Sequence, residues 1–195
     1  MTKGFIDNIA DSIVDSIIDS IGEEKVRGRY GEHVIKKELR FSKLFGMTGK
    51  ILSNLYLPKT DGETTEIDVL YITKKGIFVI ECKNYSGWIF GNEKDYQWTQ
   101  LFRNGKKTRF HNPIMQNRGH IKWLKTYLSP TLPFEVPMYS IIAFVEKESC
   151  DLKKITVESI DVYVVKSESI YATIRNIWKA APDVLSSEDI DVLYY

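Results

Sequence analysis

Two nearly unbroken apolar runs, 66–72 (EIDVLYI) and 77–83 (IFVIECK), flank the tetrapeptide Thr73-Lys74-Lys75-Gly76. Their β-branched and aromatic content predicts two strands. The absence of polar alternation predicts that both are central and covered on both faces. A four-residue loop built on a type I turn is a common hairpin connection, and Gly76 suits its end. Ile72 then pairs with Ile77, and Asp68 faces Glu81. Opposed residues share a side of the sheet, with Cβ atoms ~4.5–5.5 Å apart. Lys83 lies two residues beyond Glu81, so the strand period puts it on that side too, with Glu66 as its cross-strand neighbour. A three-residue loop with a glycine bulge would instead set Asp68 against Cys82.

Two carboxylates and an ammonium at the ends of apolar strands need partners, because an unpaired charge there is costly. Two close carboxylates repel unless a cation lies between them. Mg2+ takes oxygen ligands, typically one or two carboxylates completed by water and substrate phosphate. The bland alternative is a cross-strand salt bridge from Lys83 to Glu66 or Asp68, with Glu81 merely exposed.

The rest of the chain supplies a mixed α/β frame. Residues 4–22 (GFIDNIADSIVDSIIDSIG) carry paired apolar residues every four positions, separated by Asp7, Asp11, Asp15 and Asp19. This predicts an amphipathic helix ending near Gly22. Its acidic polar face argues against an anionic membrane and for docking or self-association. A second helix is expected over 25–45, burying Val34, Ile35, Leu39 and Leu44. Strands are expected over 50–57, 137–146 and 160–165, and a hairpin over 85–100. Asn112-Pro113 opens a helix to about Leu128, with Asn as N-cap and Pro at the first helical position. Helical segments follow at 168–180 and within 183–193.

Composition bounds the partners weakly and charge placement more firmly. The 195 residues are 43% hydrophobic and 12% aromatic, enough for a packed core, with a net charge of only +1. Residues 94–125 hold eight Lys or Arg against Asp95 alone, between acidic ends. Such a block fits a polyanion-binding surface, or a solvated helix face and loop. Two cysteines, Cys82 and Cys150, are too few for a disulfide framework. No apolar run reaches the ~18 residues of a membrane span, and there is no signal-peptide pattern, so the cytoplasm is the expected compartment.

Asp68, followed by Glu81-x-Lys83 on the adjacent strand, resembles the PD-(D/E)xK phosphodiesterase superfamily. More closely, the chain resembles the nuclease-related domain (NERD) family. The resemblance is carried by Gly31-Glu32, by Glu66 to Leu70, by Gly76 to Gly87, by Trp98, and by Asn112 to Asn117. It implies a restriction-endonuclease-like core over 25–195, a central mixed sheet flanked by helices, preceded by the N-terminal helix over 1–24. It implies that Asp68 and Glu81 bind Mg2+ or Mn2+ and that Lys83 orients or activates the attacking water. Glu32 matches a carboxylate contributed by the first helix, and Gln116 a glutamine on the helix after the hairpin. Relatives with a Q-x-x-x-Y motif carry Tyr where this chain has His120, and Ile67 stands where many have Pro.

Gln116, His120, Trp123 and Tyr127 fall along one helical face, placing Gln116 at the rim of the core; His120 is expected as a rim or surface histidine. Lys106, Lys107, Arg109, Arg118 and Lys122 are the candidate phosphate contacts, with DNA favoured over RNA. Tyr85, Trp88, Phe90 and Trp98 either stack on bases or pack in the core. The functional expectation is a metal-dependent nuclease with little sequence specificity. Its alternative is a non-catalytic nucleic-acid-binding or assembly module on the same fold.

Overall fold

The turn at Thr73–Gly76 sets the frame. In the computed structural model, which describes residues 30–131, 134–145 and 150–195, Thr73 Oγ1 donates to the Gly76 carbonyl and accepts from Lys75 N–H, which ties the turn closed. Gly76 has φ 122°, and a Cβ there would lie 2.4 Å from the Pro137 carbonyl oxygen. Only glycine fits both constraints. The four-residue loop therefore forms, and Ile72 pairs with Ile77 as expected. The helix expected over 4–22 and the boundary at residue 24 lie outside the described residues.

A helix, α1, runs over 30–44. The strands β1 (Gly49–Pro58), β2 (Thr64–Thr73) and β3 (Gly76–Lys83) follow as an antiparallel meander. After them come β4 (Gly87–Asn92), β5 (Gln97–Leu101), β6 (Lys107–His111), α2 (Pro113–Leu128) and β7 (Met138–Phe144). The chain closes with β8 (Cys150–Thr156), β9 (Val162–Lys166), α3 (Ile170–Ala180) and α4 (Ser187–Tyr194). The central sheet has the order β1-β2-β3-β7-β9, antiparallel on one side and parallel on the other. A smaller sheet has the order β6-β5-β4-β8. The expected mixed sheet flanked by helices, of restriction-endonuclease-like type, is therefore present.

Three cores hold these layers. On one face of the central sheet, Ile35 and Leu39 of α1 and Ile170, Ile174 and Ile177 of α3 pack on Val69, Tyr71, Phe78 and Ile80. On the other face, Leu124 of α2 packs with Leu70, Ile72, Ile77 and Val79, joined by Leu193 of α4. Between the sheets, Ile89 and Trp98 meet Ile114, Ile142 and Phe144. Each fully buried aliphatic or aromatic side chain contributes roughly 1.5–3 kcal/mol.

α2 begins as its sequence predicts. The Asn112 side chain accepts the Ile114 N–H, and Pro113 occupies the first turn. Asn112 Nδ2 also donates to the Asn92, Glu93 and Asp95 carbonyls, so the cap fastens α2 to the β4–β5 turn.

The elements depart from expectation in two respects. Leu44 is 79% exposed. It lies five positions after Leu39, about 140° round the helix, and so leaves the buried stripe. β6 and β8 were not expected. KTRFH is an edge strand with mostly exposed side chains. In CDLKKIT, the other edge strand, a shift in pairing sets the inward residues Leu152 and Ile155 three apart, which breaks the period of two. Among the described residues, no helix is long and apolar enough to cross a membrane.

Candidate active site

The site forms where the central hairpin opens. β2 and β3 pair from Thr73↔Gly76 to Val69↔Ile80. Beyond that point β2 stays with β1, where Glu66 pairs with Tyr56, while β3 continues along β7, where Lys83 pairs with Phe144. Asp68 sits in the fork, and its Oδ2 accepts the Cys82 N–H at 2.7 Å. The carboxylate thus takes over a backbone donor that the separated strand no longer meets. This divergence corrects the expected Glu66–Lys83 neighbour: those residues now belong to different strand pairs.

A second irregularity lies across from Asp68. The β1–β2 ladder runs from Ser53↔Val69 to Leu55↔Ile67 and skips the Asn54–Asp68 position. Asn54 has φ 54°, a left-handed conformation that Asn tolerates better than most residues. The face alternation changes there. Ile51, Val69 and Tyr71 pack toward α1, whereas Leu55, Leu57 and Ile67 pack toward α2.

Glu81 and Lys83 project to the α2 side. Glu81 is only 2% exposed. Its Oε1 pairs with Lys83 Nζ at 2.7 Å, and Lys83 Nζ also donates to Gln116 Oε1 at 3.1 Å. Glu81 Oε2 lies 3.3 Å from His120 Nε2 without hydrogen-bond alignment. His120 Nδ1 meets Thr65 Oγ1 at 2.7 Å. His120 is therefore not a rim histidine; it is buried one turn along α2 from Gln116, between Thr65 and Glu81. The Lys83 ion pair is made with Glu81, not with Glu66 or Asp68. Glu32, buried at the start of α1, acts on Asp68 and on Cys82 electrostatically. Gly31 brings this helix close, since a Cβ there would meet Cys82 Cβ at 3.5 Å.

The electrostatics separate the two acids. Burial first, and then the charge of Glu81, push the Asp68 carboxyl up to about 7, against the pull of the Cys82 N–H and Lys83. Burial also penalises ionised Glu81, but the His120 ring and Lys83 outweigh it and hold that carboxyl below its ordinary value. Burial likewise opposes the Lys83 ammonium, and Glu81 more than compensates. Two carboxylates that repel in a partly dry cleft, one with an oxygen lacking an aligned donor, suit a divalent cation. Among the described residues, no group of three or more His, Cys, Asp or Glu is placed to hold a metal. Asp68 and Glu81 offer oxygen donors, the type that Mg2+ takes when water and phosphate complete its shell.

The other candidates are dispersed. Lys106 lies in the β5–β6 turn, and Lys107 and Arg109 are exposed on β6. Arg118 pairs with Glu93 and donates to Ser159. Lys122 is exposed on α2, its Nζ 5.7 Å from the Trp123 ring centre. Trp98 is fully buried, and Tyr85 packs against Phe110, whereas Trp88 and Phe90 are exposed. Sequence reasoning missed Thr65 and Asn54, whose roles arise only from register, and undervalued His120.

A mixed sheet whose central hairpin ends in two acids and a lysine, clasped by helices from both faces, defines a restriction-endonuclease-like protein. The chain belongs to the nuclease-related domain family, whose model matches residues 27–145. It is similar to an uncharacterized protein of Bacillus anthracis, 36% identical over 173 residues, which cover 88% of this chain and 75% of that protein. No solved structure matches it.

Proposed function

We propose that this chain is a divalent-metal-dependent nuclease that hydrolyses phosphodiester bonds, of DNA in preference to RNA, with little sequence specificity. The observation that carries the proposal is the convergence of Asp68, Glu81 and Lys83, with Gln116 on the lysine, at the open end of one hairpin. Asp68 and Glu81 would hold Mg2+ or Mn2+, with Glu32 near enough to add charge to the site. A bound cation supplies Lewis-acid activation of phosphate and water.

The chain's own residues do the rest. Gln116 fixes the Lys83 ammonium, which hydrogen-bonds the attacking water or the charge developing on phosphate. His120, braced by Thr65, keeps Glu81 in place. Lys106, Lys107, Arg109, Arg118 and Lys122 are the proposed phosphate-contacting set; Arg118 would reach phosphate from its position beside Glu93. The proposed setting is the cytoplasm. Residues 1–22 are proposed to mediate self-association.

A non-catalytic reading has one observation in its favour: the Lys83–Glu81 ion pair already satisfies one Glu81 oxygen without any metal. Plasmid and single-stranded DNA incubated with Mg2+, Mn2+ or EDTA separate the two. Metal-dependent cleavage that disappears in Lys83→Ala and Asp68→Ala supports the nuclease. Cleavage unchanged in both variants removes the site assignment, and salt-sensitive binding without cleavage favours the second reading.

A further inference from the structure

The small sheet buries one face and exposes the other. Ile89 and Trp98 turn inward to the core between the sheets, with Phe110 packed against them. Strand alternation therefore turns their neighbours outward, and paired residues share that side. The outer face carries the row Arg109–Thr99–Phe90–Lys154 and, beside it, the row Lys107–Leu101–Trp88–Asp151. Trp88 is 41% exposed and Phe90 37%. Two aromatic rings thus lie in the middle of an open sheet, with cations on both of its edges.

We propose that this face is a platform for a single-stranded stretch of nucleic acid, its bases stacked on Trp88 and Phe90 and its phosphates against Lys107, Arg109 and Lys154. The proposal rests on the nuclease reading for the fate of the strand, though not for its binding. Charge complementarity selects the occupant. A second protein surface would need acids opposite three of these cations, whereas a nucleic-acid strand supplies phosphate and ring faces together. A cavity of about 640 Å³ opens beside Trp88, with Arg103, Lys153 and Lys166 among its lining residues, and extends the basic character of this side.

Distance fits as well. Trp88 is five positions on from Lys83, so the platform begins within ~17 Å of the lysine along the chain. That span is about five nucleotides of stacked strand at ~3.4 Å each. Sequence-independent stacking also agrees with the absence of a groove-reading element, since every base has a π-face.

The test is fluorescence anisotropy of the full chain in EDTA, with labelled oligothymidine of about 15 nucleotides and a duplex of equal length. The single strand should bind more tightly. Trp88→Ala and Phe90→Ala should each weaken it by roughly 5- to 100-fold with unchanged thermal melting. The Lys107→Ala/Arg109→Ala pair should lower the slope of log affinity against log salt by about 1.4. Arg109→Glu, which leaves both rings in place, should weaken binding at low salt. Preference for duplex, or equal affinity in the aromatic variants, overturns the proposal. So does a concentration-dependent dimer that Trp88→Ala abolishes, because the face would then meet a second copy. Trp88-dependent binding without metal-dependent cleavage removes the nuclease reading and leaves the platform standing.

Discussion

The carboxylate of Asp68, the residue next to Val69 of the last β2–β3 pair, accepts the Cys82 N–H at 2.7 Å, two positions past Ile80 of that pair. One side chain thus closes the fork of the hairpin and offers an acid to the site. These roles separate on substitution. Asp68→Asn keeps an acceptor for Cys82 and removes the repulsion with Glu81, so urea denaturation should show equal or higher stability. Asp68→Ala leaves the N–H unpaired and should cost about 1–3 kcal/mol. Both should lose metal-dependent cleavage by 100-fold or more. Full activity in Asp68→Asn would exclude the carboxylate as a ligand.

The raised Asp68 carboxyl predicts a pH-dependent response to metal. Its folded value is about 7 against an ordinary 3.8. Below the ordinary value both states are protonated, and this group costs nothing. As pH rises toward 7 the unfolded chain ionises and the folded one does not, so stability falls, by at most roughly 4 kcal/mol. The loss is complete above about 7. In EDTA, wild type should therefore lose stability relative to Asp68→Asn between pH 4 and 7. Mg2+ should raise the wild-type melting temperature more at pH 8 than at pH 5. Parallel pH profiles for the two proteins would refute this origin of the shift.

Lys83 neutralises a glutamate that is 2% exposed. Lys83→Ala strands that charge and should destabilise the fold by about 3–5 kcal/mol. Glu81→Gln in the same chain should recover much of the loss, because the uncompensated charge is gone. Chemical denaturation of the two single variants and the double variant gives the coupling. Additive losses would mean that the ion pair carries no coupling energy.

Asn112 is fully buried, caps α2, and donates to three carbonyls of the β4–β5 turn. Asn112→Ala removes the cap and leaves buried carbonyls unpaired. A loss of about 2–4 kcal/mol is expected. Hydrogen exchange should rise in both α2 and the β4–β5 turn. Faster exchange confined to α2 would show that the cap does not tie the two together.

Much of the hairpin was legible because its signals are local. Thr73 to Gly76 specify a loop length, the loop length specifies Ile72 opposite Ile77, and the strand period then aligns Glu81 with Lys83. The Asn112-Pro113 start of α2 was equally readable, since a cap and a first-turn proline act within one turn of helix. Leu44 was misread because a stripe was extended past the point where helical geometry turns it outward. β6 and β8 were invisible because edge strands owe their pairing to neighbours, not to their own apolar pattern.

The amino-acid order alone thus determined which residues carry charge, where the turn lies and which of them share a strand face. Only the tertiary structure decided where β2 and β3 part, why Asp68 bonds Cys82 rather than simply facing Glu81, and how α2 buries His120 against Thr65 and Glu81. Propensity and period act over a few residues. Strand divergence and helix docking depend on what the other elements, distant in sequence, leave room for.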